Sequence, residues 1–298
     1  MIKVNGQEIK LTKFPNGETL VDTTYLNNLS GDVDIHFKWT DDSDIIHLCF
    51  VIDHIYEYIE VDNLSLYIYY MPYSRMDRSE HGSCFTLETI AQILNEFVIF
   101  CDEVWILEPH SDVTTNFIKG SHRFNVITPL MNYILQKENI DVICYPDKGA
   151  RNRFANDDVS LPIVYCNKVR DFDTGEIKGL ELVTDEDLTG KNILVLDDLC
   201  SKGGTFYHVA NKLKEAGANE IILGCCHMED TVMKGKIWTD GTGNLNTPIK
   251  HIYCLDTMLK DNNVAKLGNN ITVFNTEKVI DSLTFEDVLE EEKCLLNL

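Results

Sequence analysis

Residues 192–205 constrain this chain more than any other stretch: Asn192-Ile193-Leu194-Val195-Leu196-Asp197-Asp198-Leu199-Cys200-Ser201-Lys202-Gly203-Gly204-Thr205. An apolar run ends in two acids. A short loop with paired glycines follows, and then a helical pattern. Ligands of open α/β sheets bind at the carboxyl ends of strands. Gly203 and Gly204 allow close backbone approach, and loop amides with a helix N-terminus point at an anion. Ser201, Lys202 and Thr205 add donors, while Asp197 and Asp198 stand where hydroxyl groups can donate to them. The pattern describes a sugar-phosphate site. The plainer alternative is a turn whose acids merely cap the helix. The complete order of strand, acids, four residues, glycines and helix favours the ligand site.

The rest of the chain alternates apolar strands with amphipathic helices, which predicts an α/β protein with mostly parallel sheets flanked by helices. Strands are expected at 65–70, 103–107, 141–145, 163–167, 193–196 and 220–226. A helix is expected over 85–97, where Leu87, Ile90, Ala91 and Leu94 recur at helical spacing. Another is expected over 206–216, with Phe206, Val209, Ala210 and Leu213 on one face and Gly217 as its stop. The start, 2–10, reads as a hairpin turning at Asn5-Gly6. A length of 298 residues fits two domains. Strand and helix signals lapse over 124–129, which gives domains of 1–127 and 128–298.

Net charge bounds the partners. The chain carries 48 acids against 26 bases, a formal −22, so nucleic acid is not an expected partner. A polyphosphate ligand would require the few bases to gather locally, or Mg²⁺. Bases do gather: Arg75 with Arg78; Lys148 with Arg151 and Arg153; Lys168 with Arg170. No apolar stretch approaches the ~20 residues of a membrane span, and the start has no secretory h-region. A cytoplasmic protein without a membrane partner is expected. The ten cysteines show no metal or disulfide spacing, so Cys49, Cys144, Cys225 and Cys226 are expected to be reduced, buried thiols.

The 192–205 sequence closely resembles the phosphoribosyl diphosphate (PRPP) signature of type I phosphoribosyltransferases and PRPP synthetases. Five further segments resemble PRPP synthetase, or ribose-phosphate diphosphokinase, in that family's order. Lys13-Phe14-Pro15-Asn16-Gly17-Glu18-Thr19 is similar to its F-S-D-G-E loop, which implies that Phe14, Asn16 and Glu18 hold the adenosine of ATP bound to a neighbouring subunit. Met71-Pro72-Tyr73-Ser74-Arg75-Met76-Asp77-Arg78 is similar to P-Y-x-x-Y-A-R-Q-D-R, shortened by three residues, and implies ATP contacts for Arg75 and Asp77. Trp105-Ile106-Leu107-Glu108-Pro109-His110 resembles a strand ending in D-L-H, which makes His110 an ATP-site and Mg²⁺ residue. Cys144-Tyr145-Pro146-Asp147-Lys148-Gly149-Ala150 resembles S-P-D-x-G-G, whose aspartate binds metal and ribose hydroxyls; Asp147 takes that place. Asn167-Lys168-Val169-Arg170-Asp171 resembles K-R-R-P, so Lys168 and Arg170 stand for the catalytic lysine and arginine at the base of a mobile loop.

The resemblance covers residues 14–205 and continues weakly beyond. It implies two phosphoribosyltransferase-like domains, at least a homodimer, and Mg²⁺-dependent transfer of diphosphate from ATP to ribose 5-phosphate. Asp197, Asp198, Ser201, Lys202, Gly203, Gly204 and Thr205 would hold the ribose 5-phosphate. Ser201 and Lys202 depart from the family's usual D-T, and residues 233–248 have no counterpart in its pattern. Two rivals stand beside this reading. A PRPP-using phosphoribosyltransferase explains the 192–205 motif but not the Phe14, Arg75 and Lys168/Arg170 segments. A catalytically inactive regulatory relative explains the altered loop but not the retained Lys168, Arg170, His110 and Asp147.

Overall fold

A computed structural model describes residues 1–79, 82–155, 159–170, 177–238, 245–264 and 267–282. It divides into two compact units, Met1–Asn125 and Val126–Leu298.

The first unit opens with β1 (Ile2–Val4) and β2 (Gln7–Glu8). Lys3 pairs with Glu8 and Val4 with Gln7. The two-residue turn Asn5-Gly6, as expected, has φ of 45° and 77°, the pair of positive angles a tight hairpin turn requires. A separate ribbon pairs β3 (Leu11–Lys13) with β4 (Thr19–Val21). Then come β5 (Asp32–Phe37), α1 (Ser43–Tyr58), β6 (Asn63–Ile68), α2 (Thr86–Val98), β7 (Glu103–Leu107), α3 (Asp112–Phe117) and β8 (Ser121–Phe124). The sheet order is β2-β1-β5-β6-β7-β8, and β5 to β8 run parallel. Leu87, Ala91, Leu94 and Val98 of α2 are buried with Leu48, Val51, Ile52 and Ile55 of α1 against the sheet. Ile90, expected on that face, is only partly buried.

The second unit contains α4 (Ile127–Lys137), β9 (Val142–Tyr145), α5 (Lys148–Phe154), β10 (Ile163–Arg170), β11 (Ile177–Val183), β12 (Ile193–Cys200), α6 (Gly204–Glu215), β13 (Ile221–Met228), β14 (Ile249–Leu255), α7 (Asp261–Val264), β15 (Ile271–Phe274) and α8 (Thr276–Ser282). The order is β11-β10-β9-β12-β13-β14-β15, parallel except for β11. Phe206, Val209, Ala210 and Leu213 of α6 bury against Val142, Ile193, Val195 and Leu223. Gly217 ends α6: its amide donates to Lys214 and that of Ala218 to Leu213, which caps the last turn. A strand covered on both faces reads as a continuous apolar run. That is why β12 and β13 are legible in the sequence.

Two expectations are corrected. Signals do not lapse over 124–129, because β8 ends at Phe124 and α4 begins at Ile127; Pro129 sits in the first turn, where its missing N–H costs nothing. Strand β12 does not stop before the acids but runs through Asp197 and Asp198 to Cys200. The four cysteines singled out from the sequence are buried. Among the described residues, no helix is long and apolar enough to cross a membrane.

Candidate active site

In the second unit, three segments meet around the end of β12. The first is the strand itself. Asp198 is 3% exposed, and its side chain receives both terminal nitrogens of Arg153, at 3.3 and 3.2 Å. One of those nitrogens also lies 3.5 Å from Asp197. Burial, and then the neighbouring Asp198, hold the Asp197 carboxyl well above the usual carboxylate range. One guanidinium thus serves two acids, and like charges this close resist joint ionisation.

The second segment is α5, which carries Arg153. Asp147 is its N-cap, its Oδ1 accepting from the Ala150 amide at 2.9 Å. At the other end the Tyr145 hydroxyl donates to the Phe154 carbonyl at 3.0 Å, and burial pushes that phenol up to about 12. The expected metal residue Asp147 therefore has a local structural task as well. Lys148 is exposed, and the Arg151 guanidinium lies over Tyr165, 4.9 Å from its ring centre. Of the three gathered bases, Arg153 is the one seated on the acids.

The third is the loop into α6. Gly203 has φ +68°, and a Cβ there would come within 2.6 Å of Ile237. Both conformation and space demand glycine. Gly204 has nothing within 4 Å of a notional Cβ, so α6 begins with an uncrowded first turn. Ser201 donates to Glu229 at 2.6 Å and sits 3.2 Å from the Thr231 hydroxyl. The hydroxyl expected to face a phosphate is engaged by a carboxylate instead. The wall behind the loop is segment 229–238. The Lys236 amide donates to the Lys202 carbonyl at 3.2 Å, and a Cβ on Gly235 would fall 2.0 Å from that oxygen. Part of the unmatched region 233–248 is thus the loop's support; residues 239–244 lie outside the described ones. Sequence reasoning missed Glu229, whose signal is weak: an acid just beyond a strand end.

Lys168 and Arg170 fall on β10, where Lys168 pairs with Leu180 and Arg170 with Ile177. The register shifts between Val169 and Arg170. Their side chains, and residues 171–176 of the expected mobile loop, lie outside the described residues.

In the first unit, Asp77 and His110 are brought together through a neighbour: Ser111 donates to Asp77 at 2.7 Å, and Arg78 pairs with the same carboxylate at 3.2 Å. Arg75 is exposed on that segment. Glu108, φ +37° and 1% exposed, is paired with Arg123 at 3.2 Å. Arg123 also donates to the Pro109 carbonyl at 3.3 Å, so it clamps the turn that carries His110. Arg123 escaped the sequence reading because it lies on a different strand, β8, and no local period links it to Glu108. Residues 14–18 form the tip of the β3–β4 ribbon. Asn16 donates to the Glu18 carboxylate at 2.6 Å and accepts its amide at 3.1 Å, while Phe14 is 47% exposed. An exposed ring beside a fixed amide and carboxylate suits a flat heterocycle.

Among the described residues, no group of three or more His, Cys, Asp or Glu side chains converges as a metal cage. Mg²⁺ commonly takes one or two carboxylates together with substrate phosphates and water. A fixed carboxylate at a strand end, as at Asp147, is a donor of that kind.

Two mostly parallel sheets flanked by helices, one with paired acids and a glycine loop at its strand ends, give a phosphoribosyltransferase-like fold. The fold matches that of phosphoribosylpyrophosphate synthetase from Mycobacterium smegmatis with a TM-score of 0.73 at 19% identity, over 93% of this chain and 88% of that one. No family model matches. The chain is similar to curated ribose-phosphate pyrophosphokinases: 26% identical to that of Saccharolobus solfataricus (82% of this chain, 86% of the relative), 26% to that of Thermococcus kodakarensis (85% and 91%), and 28% to that of Pyrococcus abyssi (74% and 75%). Over most of its length the chain is thus similar to ribose-phosphate pyrophosphokinases.

Proposed function

We propose that the protein transfers the βγ-diphosphate of ATP to C1 of ribose 5-phosphate, giving PRPP and AMP. Similarity to ribose-phosphate pyrophosphokinases over most of the chain supports the reaction. The observation that carries the substrate assignment is the end of β12: hydroxyl acceptors Asp197 and Asp198 stand beside a glycine-entered helix N-terminus. The 5-phosphate takes the amides and donors of Ser201, Lys202, Gly203, Gly204 and Thr205, and the sugar hydroxyls donate to Asp197 and Asp198. ATP takes Phe14, Asn16 and Glu18 through its adenosine, contributed by a second copy of the chain, and Arg75, Asp77 and His110 elsewhere.

The C1 hydroxyl attacks the β-phosphorus and yields its proton to solvent, the bond from the β-phosphorus to the α-phosphate oxygen breaks, and AMP leaves with that oxygen. Asp147 and His110 would each serve as a donor to Mg²⁺, which would supply neutralisation of phosphate charge. Phosphoryl transfer depends mainly on positioning and charge stabilisation, the role of Lys168 and Arg170. A cytoplasmic homo-oligomer completes the proposal.

A catalytically silent regulatory relative is the second reading, and Glu229 favours it, because a carboxylate on Ser201 opposes an anion there. A product assay decides. With ATP, ribose 5-phosphate and Mg²⁺, AMP formed in equal amount with PRPP supports the synthetase. Consumption of PRPP with a nucleobase identifies a transferase, and binding without turnover identifies the silent relative.

A further inference from the structure

We propose that Arg153 is a positioning residue for ribose 5-phosphate, acting through Asp197 and Asp198. This rests on the function proposed above. The guanidinium forks onto Asp198 at 3.3 and 3.2 Å and reaches Asp197 at 3.5 Å. A planar fork fixes both the distance and the orientation of a carboxylate, which a lysine ammonium does not. The arginine is itself held. Its helix is capped by Asp147 at one end and tied to Tyr145 at the other, and its guanidinium rests 4.9 Å from the centre of the Phe154 ring. The fork therefore transmits the placement of α5, with Asp147 at its head, to the two acids at the end of β12.

The chemistry requires such a device. Two adjacent carboxylates repel and would splay or share a proton. Sugar hydroxyls need acceptors at a fixed spacing, and a misplacement of about 1 Å costs on the order of 10²-fold in rate. A single cation for two acids orients both while leaving acceptor capacity for the sugar. The basic triplet Lys148, Arg151 and Arg153 thereby resolves into different tasks, with Arg153 facing inward and Arg151 lying over Tyr165.

The test compares Arg153→Lys and Arg153→Met in the full chain with Mg²⁺, using steady-state kinetics and calorimetric titration of ribose 5-phosphate. The expected result is a ribose 5-phosphate KM raised roughly tenfold in Arg153→Met and about threefold in Arg153→Lys, as loss of charge-assisted bonds implies. The KM for ATP stays put, and Arg153→Lys regains part of the lost affinity. Equal shifts in both KM values, or wild-type affinity in a folded variant, overturn the inference. Should Arg153→Met not fold, Arg153→Lys decides alone: binding as tight as wild type overturns it. Wild-type protein that neither binds nor converts ribose 5-phosphate overturns the underlying function, a result distinct from variants that bind as well as wild type.

Discussion

The ends of β7 and β12 use one device for different purposes. Each is a buried parallel strand that runs into an acid held by an arginine from elsewhere: Glu108 by Arg123, and Asp198 by Arg153. At β7 the arginine holds one buried acid, Glu108, which is 1% exposed beside a proline, and only grazes the exposed Asp112 at 3.7 Å. The charge is consumed, and its product is a fixed turn that presents His110. At β12 the arginine meets two adjacent acids of one strand, both largely buried, and the strand passes into a glycine-entered helix rather than a proline turn. Asp197 keeps 16% of its side-chain surface and an uncomfortable charge. A satisfied acid builds structure; an under-compensated acid beside a glycine-entered helix N-terminus suits the proposed ligand.

The largest expected effect lies on β10. Lys168→Ala reduces AMP release on the order of 10³-fold or more, as removal of a charge-stabilising cation does in phosphoryl transfer; near-normal turnover rules out its proposed role. Next, the paired acids are compared by urea unfolding. Asp198→Ala and Glu108→Ala each leave an arginine facing a lost partner and cost about 3 kcal/mol. They separate in binding: Asp198→Ala loses ribose 5-phosphate affinity, whereas Glu108→Ala retains it. Equal retention in both breaks the comparison.

Asp197 gives a smaller effect of opposite sign. Its folded pKa is raised, so the proton it binds stabilises the fold below the ordinary value of 3.8, and that stability is lost as pH rises through the folded pKa. Burial and the neighbouring Asp198 oppose its charge, so above 3.8 the group is a burden to the fold. Asp197→Asn is expected to raise stability by about 1 kcal/mol, a few degrees in melting temperature, while depressing activity. A drop in melting temperature at pH 7 contradicts this. Smallest, Ser111→Ala removes the hydroxyl that ties Asp77 beside His110, and a loss of about 1 kcal/mol raises the KM for ATP about fivefold without changing that for ribose 5-phosphate.

The sequence disclosed what repeats a physical rule. Parallel strands buried on both faces leave apolar runs, so β7, β9 and β13 were placed within about two residues, inside the usual spread of boundary assignments. The Asn5-Gly6 turn and the Gly217 stop follow from backbone conformation alone. What stayed hidden is contact between distant positions. Arg153 reaches Asp198 across 45 residues, and Ser201 meets Glu229 across 28; no local period records either pairing. Helix α1 escaped because its run, from Ser43 to Tyr58, is apolar on more than one side, with Ile46 and Phe50 exposed opposite the buried Leu48, Val51 and Ile52.

The most direct test of the account follows one oxygen. Ribose 5-phosphate carrying ¹⁸O at C1 is incubated with ATP, Mg²⁺ and the protein, and the product is read by ³¹P NMR. Attack by the C1 oxygen on the β-phosphorus predicts an isotope shift on the diphosphate phosphorus bonded to C1 oxygen, with AMP unlabelled. Product whose C1–O–P bridge lacks the label, in sugar that has not exchanged with water, contradicts that transfer.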